Sequence, residues 1–205
     1  MKRKIKNISI IIFLSCILLS VFTVDSNGFL ADDIAASVDN TPITLNDLYF
    51  LYNFNMVNNL KYYKINGTIP NIELKRALNI YINRILILKE EEKTGGRTIS
   101  KHTINLLAAG FKKKFEILHK RINFISFLKK FGFDKNSFYI FLKNILVEKE
   151  FVSDRLKFFL FALRGNAKIS QNSKQKYGKE LSAKLKHMMF NIKMHAKIEI
   201  NGNFN

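Results

Sequence analysis

The sequence predicts a mainly α-helical protein, a bundle of five to six helices with a small β-sheet formed by an N-terminal hairpin and the C-terminal strand. Apolar residues recur every three or four positions over most of the chain, and they alternate every second position only at residues 34–38 and 196–200. A solitary strand leaves its backbone hydrogen-bonding groups without partners, so the last strand needs the hairpin beside it. We therefore expect the two ends of the folded part to meet in one sheet.

The predicted hairpin covers residues 34–44. In its first strand we expect one face to carry Ile34, Ala36 and Val38 and the other face to carry Ala35 and Ser37. The Asp-Asn-Thr sequence at residues 39–41 tolerates a tight turn. Pro42 suits an edge strand, because proline has no N–H to donate to a neighbouring strand.

Start and stop signals bound the predicted helices. Thr44 followed by Asp47 predicts a capping box at the start of the first helix. The second predicted helix covers about residues 72–93 and is closed by Gly95 and Gly96, and the third is capped by Ser100. A short fourth helix covers about residues 123–131. The long fifth helix covers residues 135–163 and is capped by Asp134, and the last helix runs through Tyr177 and Ile192.

Residues 1–28 have the pattern of a secretory signal peptide. A basic head over residues 1–6 precedes an apolar run over residues 8–24 and a polar exit. The run is slightly short for a membrane span, so we expect cleavage; an uncleaved anchor and lipidation at Cys16 are the alternatives. Residues 29–205 are then expected to form one folded domain in the periplasm or cell envelope.

No catalytic constellation is recognisable in the sequence. Cys16 is the only cysteine and falls in the predicted leader, which argues against disulfides and thiolate chemistry in the folded domain. No histidine pair has the spacing of metal ligands. The histidines are His102, His119, His187 and His195. We therefore predict no enzymatic activity, no cofactor and no metal site.

The formal charge of +18 comes from 27 Lys and 7 Arg against 16 acidic residues. Arginine is the preferred residue for phosphate forks and base edges, so this lysine-rich chain with an export signal is not expected to bind nucleic acid. A solvated basic surface favours acidic clients or an anionic membrane surface. A basic nucleic-acid-binding protein is the remote alternative.

Four stretches of the sequence, in this order, resemble the SurA-like family of exported foldases and chaperones, which includes the PrsA and PpiD types. They are IAASVDNTPITLNDL, ELKRALNIYINRILILKEEEKTGGRTIS, FLKKFGFDKNSFYIFLKNILVEKEFVSDRL and LKHMMFNIKMHAKIEI. These are similar to the family's opening strand, turn and first helix, its long second helix, its short helix followed by a long fifth helix, and its closing helix and strand. Residues 39–41 depart from the family's usual Asn-Gly-Glu turn.

The resemblance implies an ATP-independent chaperone, or holdase, that binds unfolded or nascent exported proteins and outer-membrane proteins. Many relatives insert a parvulin isomerase domain before the closing helix, whereas here residues 164–173 form only a linker, too short to fold as a domain. We therefore expect no prolyl isomerase activity. The alternative from another class is an envelope adaptor that docks one specific protein partner.

Aromatic and methionine side chains are the candidate client-binding residues. The chain has 19 Phe, and core packing accounts for many of them. Flexible methionines and broad aromatic faces can also repack around many sequences, which suits a groove for unfolded segments. The predicted client-binding residues are Tyr49, Phe50, Tyr52, Met56, Met188 and Met189.

Overall fold

A three-stranded antiparallel sheet joins the two ends of the folded chain. The computed structural model describes residues 33–61, 65, 67–164 and 173–202. The strands are β1 (Ile34–Val38), β2 (Thr41–Thr44) and β3 (Ile198–Ile200), in the order β2-β1-β3. The predicted pairing of the hairpin with the C-terminal strand is therefore confirmed, and Pro42 lies in the outer strand β2 as expected.

Six helices are present in the part of the chain that the structure describes, which confirms the mainly α-helical class. They are α1 (Leu45–Asn58), α2 (Asn71–Lys93), α3 (Lys101–Leu118), α4 (Phe124–Lys130), α5 (Lys135–Arg164) and α6 (Ser173–Met194). The longest of them, α5, contacts α2, α3, α4 and α6. It is therefore the central helix of the bundle.

Side-chain caps fix where four of these helices begin, and at α4 the cap is Asn123, whose side-chain oxygen accepts from the Ile125 amide at 2.8 Å. The Thr44 hydroxyl accepts a hydrogen bond from the Asp47 amide at 3.2 Å, and an Asp47 carboxylate oxygen accepts one from the Thr44 amide at 2.9 Å. This is the predicted capping box of α1. Ser100 accepts from the Thr103 amide at the start of α3, and Asp134 accepts from the Ser137 amide at the start of α5.

The face of β1 that points into the core differs from the prediction at its first residue. Ala36 and Val38 are buried as expected, but Ile34 is exposed and Ala35 is completely buried. The pairing of β1 with β2 shifts register between Ile34 and Ala36, which is a β-bulge. A bulge inserts one residue and so reverses the alternation at the strand's start. The prediction that Ile34 faces the core is wrong for this reason.

Asp39 connects the hairpin turn to the far end of the chain. The turn places Asp39 and Asn40 at positive φ values of 46° and 68°, a region that Asp and Asn tolerate better than most residues. The Asp39 carboxylate accepts a hydrogen bond from the Lys197 amide at 2.7 Å and one from the Lys89 ammonium at 3.2 Å. These donors, the Lys197 amide first, lower the pKa of Asp39 below its usual value.

Phenylalanine rings fill the centre of the core. Phe50 on α1 has no exposed surface, and its ring centroid lies 4.1 Å from that of Phe133 and 4.9 Å from that of Phe141. The other rings packed around it are Phe54, Phe127, Phe131 and Phe138. This cluster attaches α1 to α4 and to the first half of α5.

Two predicted segments lie outside the described residues. They are the signal peptide at residues 1–28, with Cys16, and most of the linker at residues 164–173. Within the described ranges, no helix combines the length and the apolar character that crossing a membrane requires.

Candidate functional site

The six residues predicted to bind clients do not share one surface. Phe50 is the central residue of the core, so a client cannot reach it, and its assignment to a binding groove is corrected here. The Phe50 ring cannot bind a client because the rings around it already remove its apolar area from water. Tyr49, Met56 and Met189 are half-buried and pack against the same core, and Tyr52 is also half-buried. Of the six, Met188 alone lines the groove described next.

An apolar groove of about 560 Å³ lies between the second half of α5 and α6. Its α5 wall carries Phe151, Phe158 and Phe159, and its α6 wall carries Met188 and Ile192. These positions follow helical spacing: Phe151 and Phe158 are two turns apart on α5, and Met188 and Ile192 are one turn apart on α6. Each helix therefore presents one apolar stripe to the groove.

Two phenylalanines near this groove are largely exposed to solvent. Phe158, which lines it, is 62% exposed, and Phe161, one turn further along α5, is 76% exposed. On α6, Phe190 and Met194 are also exposed, but neither lines the groove. Large apolar side chains that occur singly on a surface are ordinary, but two exposed rings one turn apart on the same helix, one of them lining an apolar groove, mark a candidate site of interaction.

Basic side chains border the groove. The Arg155 guanidinium lies 5.0 Å from the Phe151 ring centroid, and the Lys184 ammonium lies 5.9 Å from that of Phe159. Among the described lining residues Glu90 of α2 is the one carboxylate, and it forms an ion pair with Lys93 at 3.1 Å. The groove therefore combines an apolar floor with a positively charged border, and it suits segments that carry apolar and acidic residues together.

The sequence carries a partial signal for the exposed aromatic residues of α5. Phe158, Phe159 and Phe161 occur within four positions, and successive helical residues point about 100° apart. The three rings therefore cannot all point in one direction, and which of them stays exposed depends on how α5 packs against its several neighbours. The signal was the clustering of the aromatic residues rather than their number.

In the described part of the chain, no three His, Asp, Glu or Cys side chains lie close enough together to bind a metal ion. The four histidines are dispersed, and burial lowers the pKa of His119.

Compared with protein-family models and with curated proteins, the sequence matches none.

Proposed function

We propose that this protein is an ATP-independent holdase of the periplasm or cell envelope that binds unfolded exported and outer-membrane proteins. In this proposal the groove between α5 and α6 receives apolar segments of the client. The observation that carries it is the exposed ring of Phe158 in an apolar groove with a basic border, with the exposed ring of Phe161 one turn further along α5.

Burial of apolar surface is sufficient to drive such binding. Covering a phenylalanine side chain removes apolar area worth about 1.5–3 kcal/mol from water, and the entropy of ordering the client offsets part of this gain. The result is weak binding that tolerates many sequences, because Met188 and the aromatic faces impose no hydrogen-bond pattern. Release then needs no nucleotide, since weak complexes dissociate rapidly.

The placement in the cell envelope rests on the basic head and apolar run at residues 1–28 and on the resemblance to the SurA-like family. Prolyl isomerase activity is not part of the proposal. Only residues 165–172 separate α5 from α6, and so short a stretch cannot form a catalytic domain.

Aggregation of an unfolded outer-membrane protein, followed by light scattering, tests the proposal. We expect the full chain to suppress aggregation at a near-stoichiometric ratio, and the double variant Phe158→Ser/Phe161→Ser to bind at least about tenfold more weakly, because two apolar contacts are lost. Ile140→Ser is the matched control. Ile140 is 59% exposed on the same helix but does not line the groove, so this variant should act like the wild type.

Circular dichroism should show the same helical content in all three proteins, because these side chains are exposed. Wild-type protein without any effect on aggregation, or a double variant as effective as Ile140→Ser, would refute the proposal. Capture of a single partner at a fixed ratio in crosslinking would favour the envelope adaptor instead.

A further inference from the structure

A second groove, of about 700 Å³, lies where α3, α4 and the start of α5 meet. Its floor is apolar, because the buried residues Ala108, Leu128 and Phe138 line it. This groove shares no lining residue with the groove between α5 and α6. Along α5 the nearest lining residues of the two, Tyr139 and Phe151, are twelve positions apart, about 18 Å at the helical rise.

The border of this second groove combines positive charge with exposed apolar side chains. Three lysines on its border are exposed, Lys112, Lys120 and Lys135. The one carboxylate among the described residues of this lining, Glu116, lies 3.6 Å from the Lys112 ammonium, and both side chains are exposed. Ile122 and Ile125 also line the groove, and both are exposed. We call this border the lysine–isoleucine surface.

We propose that the lysine–isoleucine surface docks the protein onto a bilayer that contains anionic phospholipid. Ile122 and Ile125 enter the boundary between headgroups and acyl chains, and the lysines lie at the level of the phosphates. Lysine suits this role because its flexible stem can lie along apolar material while the ammonium group stays in the polar layer. Anionic lipid attracts such clustered cations, and the apolar side chains add contacts that charge alone does not provide.

Nucleic acid fits this surface less well than lipid does. The described cations that line the groove, Lys112, Lys120 and Lys135, are all lysines, whereas planar arginine forks are the preferred groups for phosphate and base recognition. Of the aromatic rings that line the groove, Phe138 is buried and Phe124 and Tyr139 are half-buried. The Lys135 ammonium also lies 5.9 Å from the Tyr139 ring centroid. The exposed apolar side chains of the border are therefore the isoleucines, which offer a base no face for stacking. They are suited instead to the apolar edge of a membrane.

A single tryptophan reporter tests the docking at a defined position. The chain contains no tryptophan, so Ile125→Trp introduces a unique fluorophore into the full-length protein, and Ile140→Trp gives a matched control at an exposed position outside this groove. With vesicles of phosphatidylglycerol and phosphatidylcholine, we expect a blue shift at position 125, quenching there by brominated lipid, and neither effect at position 140. Because the reporter is local, binding of any other segment to the vesicles does not produce this difference.

Charge dependence is tested in the Ile125→Trp background. Lys120→Glu/Lys135→Glu is expected to weaken the response at position 125 at least about tenfold, and Lys143→Glu, an exposed lysine of α5 outside the groove, is expected to leave it unchanged. Vesicles of phosphatidylcholine alone should give no response. The proposal is overturned if position 125 is silent, if positions 125 and 140 respond equally, if the two charge variants behave alike, or if duplex DNA but not vesicles shifts the emission.

Discussion

Replacing Phe50 by alanine is expected to lower the free energy of unfolding by about 3–5 kcal/mol. Phe50 is completely buried, and six other phenylalanine rings lie around it with centroid distances from 4.1 to 6.3 Å. Alanine would leave a cavity among rings that come from α1, α4, α5 and the segment between α4 and α5. Those neighbours cannot all move inward together, so the lost contacts are not replaced.

Urea denaturation followed by circular dichroism measures this effect. Phe158→Ala is the matched control, because it removes the same ring from a position that is 62% exposed. We expect the control to change stability by about 0.5 kcal/mol or less. A Phe50→Ala protein as stable as the Phe158→Ala protein would mean that Phe50 does not hold the core together.

Replacing Glu148 by alanine is expected to cost about 3 kcal/mol, because it leaves a buried guanidinium without its carboxylate. Arg84 of α2 donates from Nε to a Glu148 oxygen of α5 at 2.7 Å, and the two side chains are only 7% and 24% exposed. The guanidinium also lies 5.2 Å from the Phe141 ring centroid, which places it against the aromatic core. Loss of the Glu148 carboxylate is therefore expected to weaken the packing of α2 against α5.

Two further variants distinguish this cost from a general effect of removing a salt bridge. Glu73→Ala breaks the exposed pair with Arg76, in which the side chains are 33% and 67% exposed, and should cost about 1 kcal/mol or less. The double variant Arg84→Met/Glu148→Leu removes both buried charges and should be clearly more stable than Glu148→Ala. If Glu148→Ala proves as mild as Glu73→Ala, the buried pair does not join the two helices.

Much of the fold could be predicted from local sequence because each boundary has a local physical cause. Thr44 with Asp47, Ser100 and Asp134 cap helices through contacts within three residues, and such contacts can be read directly from spacing. The meeting of the chain ends followed from a different argument, that a strand cannot be stable without a partner.

The β-bulge in β1 could not be predicted in the same way. Whether Ile34 or Ala35 faces the core depends on how β1 pairs with β2, and the alternation of residues alone assumes regular pairing. Phe50 shows the same limitation in a helix. Its spacing on α1 fits both a core position and a groove position, and only the packing of α4 and α5 against α1 decides between them.

The candidate site was the part least accessible to sequence reasoning. Met188 was predicted to bind clients and does line the groove. The aromatic residues that line the groove opposite it belong to the second half of α5, which residues 165–172 separate from α6 in the sequence. Periodicity defines one stripe on each helix, and it does not say which two stripes face each other. The exposure of Phe158 and Phe161 arises because α6 covers only part of the aromatic end of α5.

Site-specific photo-crosslinking in intact cells tests most directly whether the groove between α5 and α6 holds unfolded clients. A photoreactive phenylalanine analogue at position 158 of the full chain is expected to form crosslinks to many different exported proteins, more of them when unfolded proteins accumulate. The same analogue at position 140 is expected to form few. Equal yields at the two positions, or crosslinks from position 158 to one protein alone, would contradict the holdase function proposed for this groove.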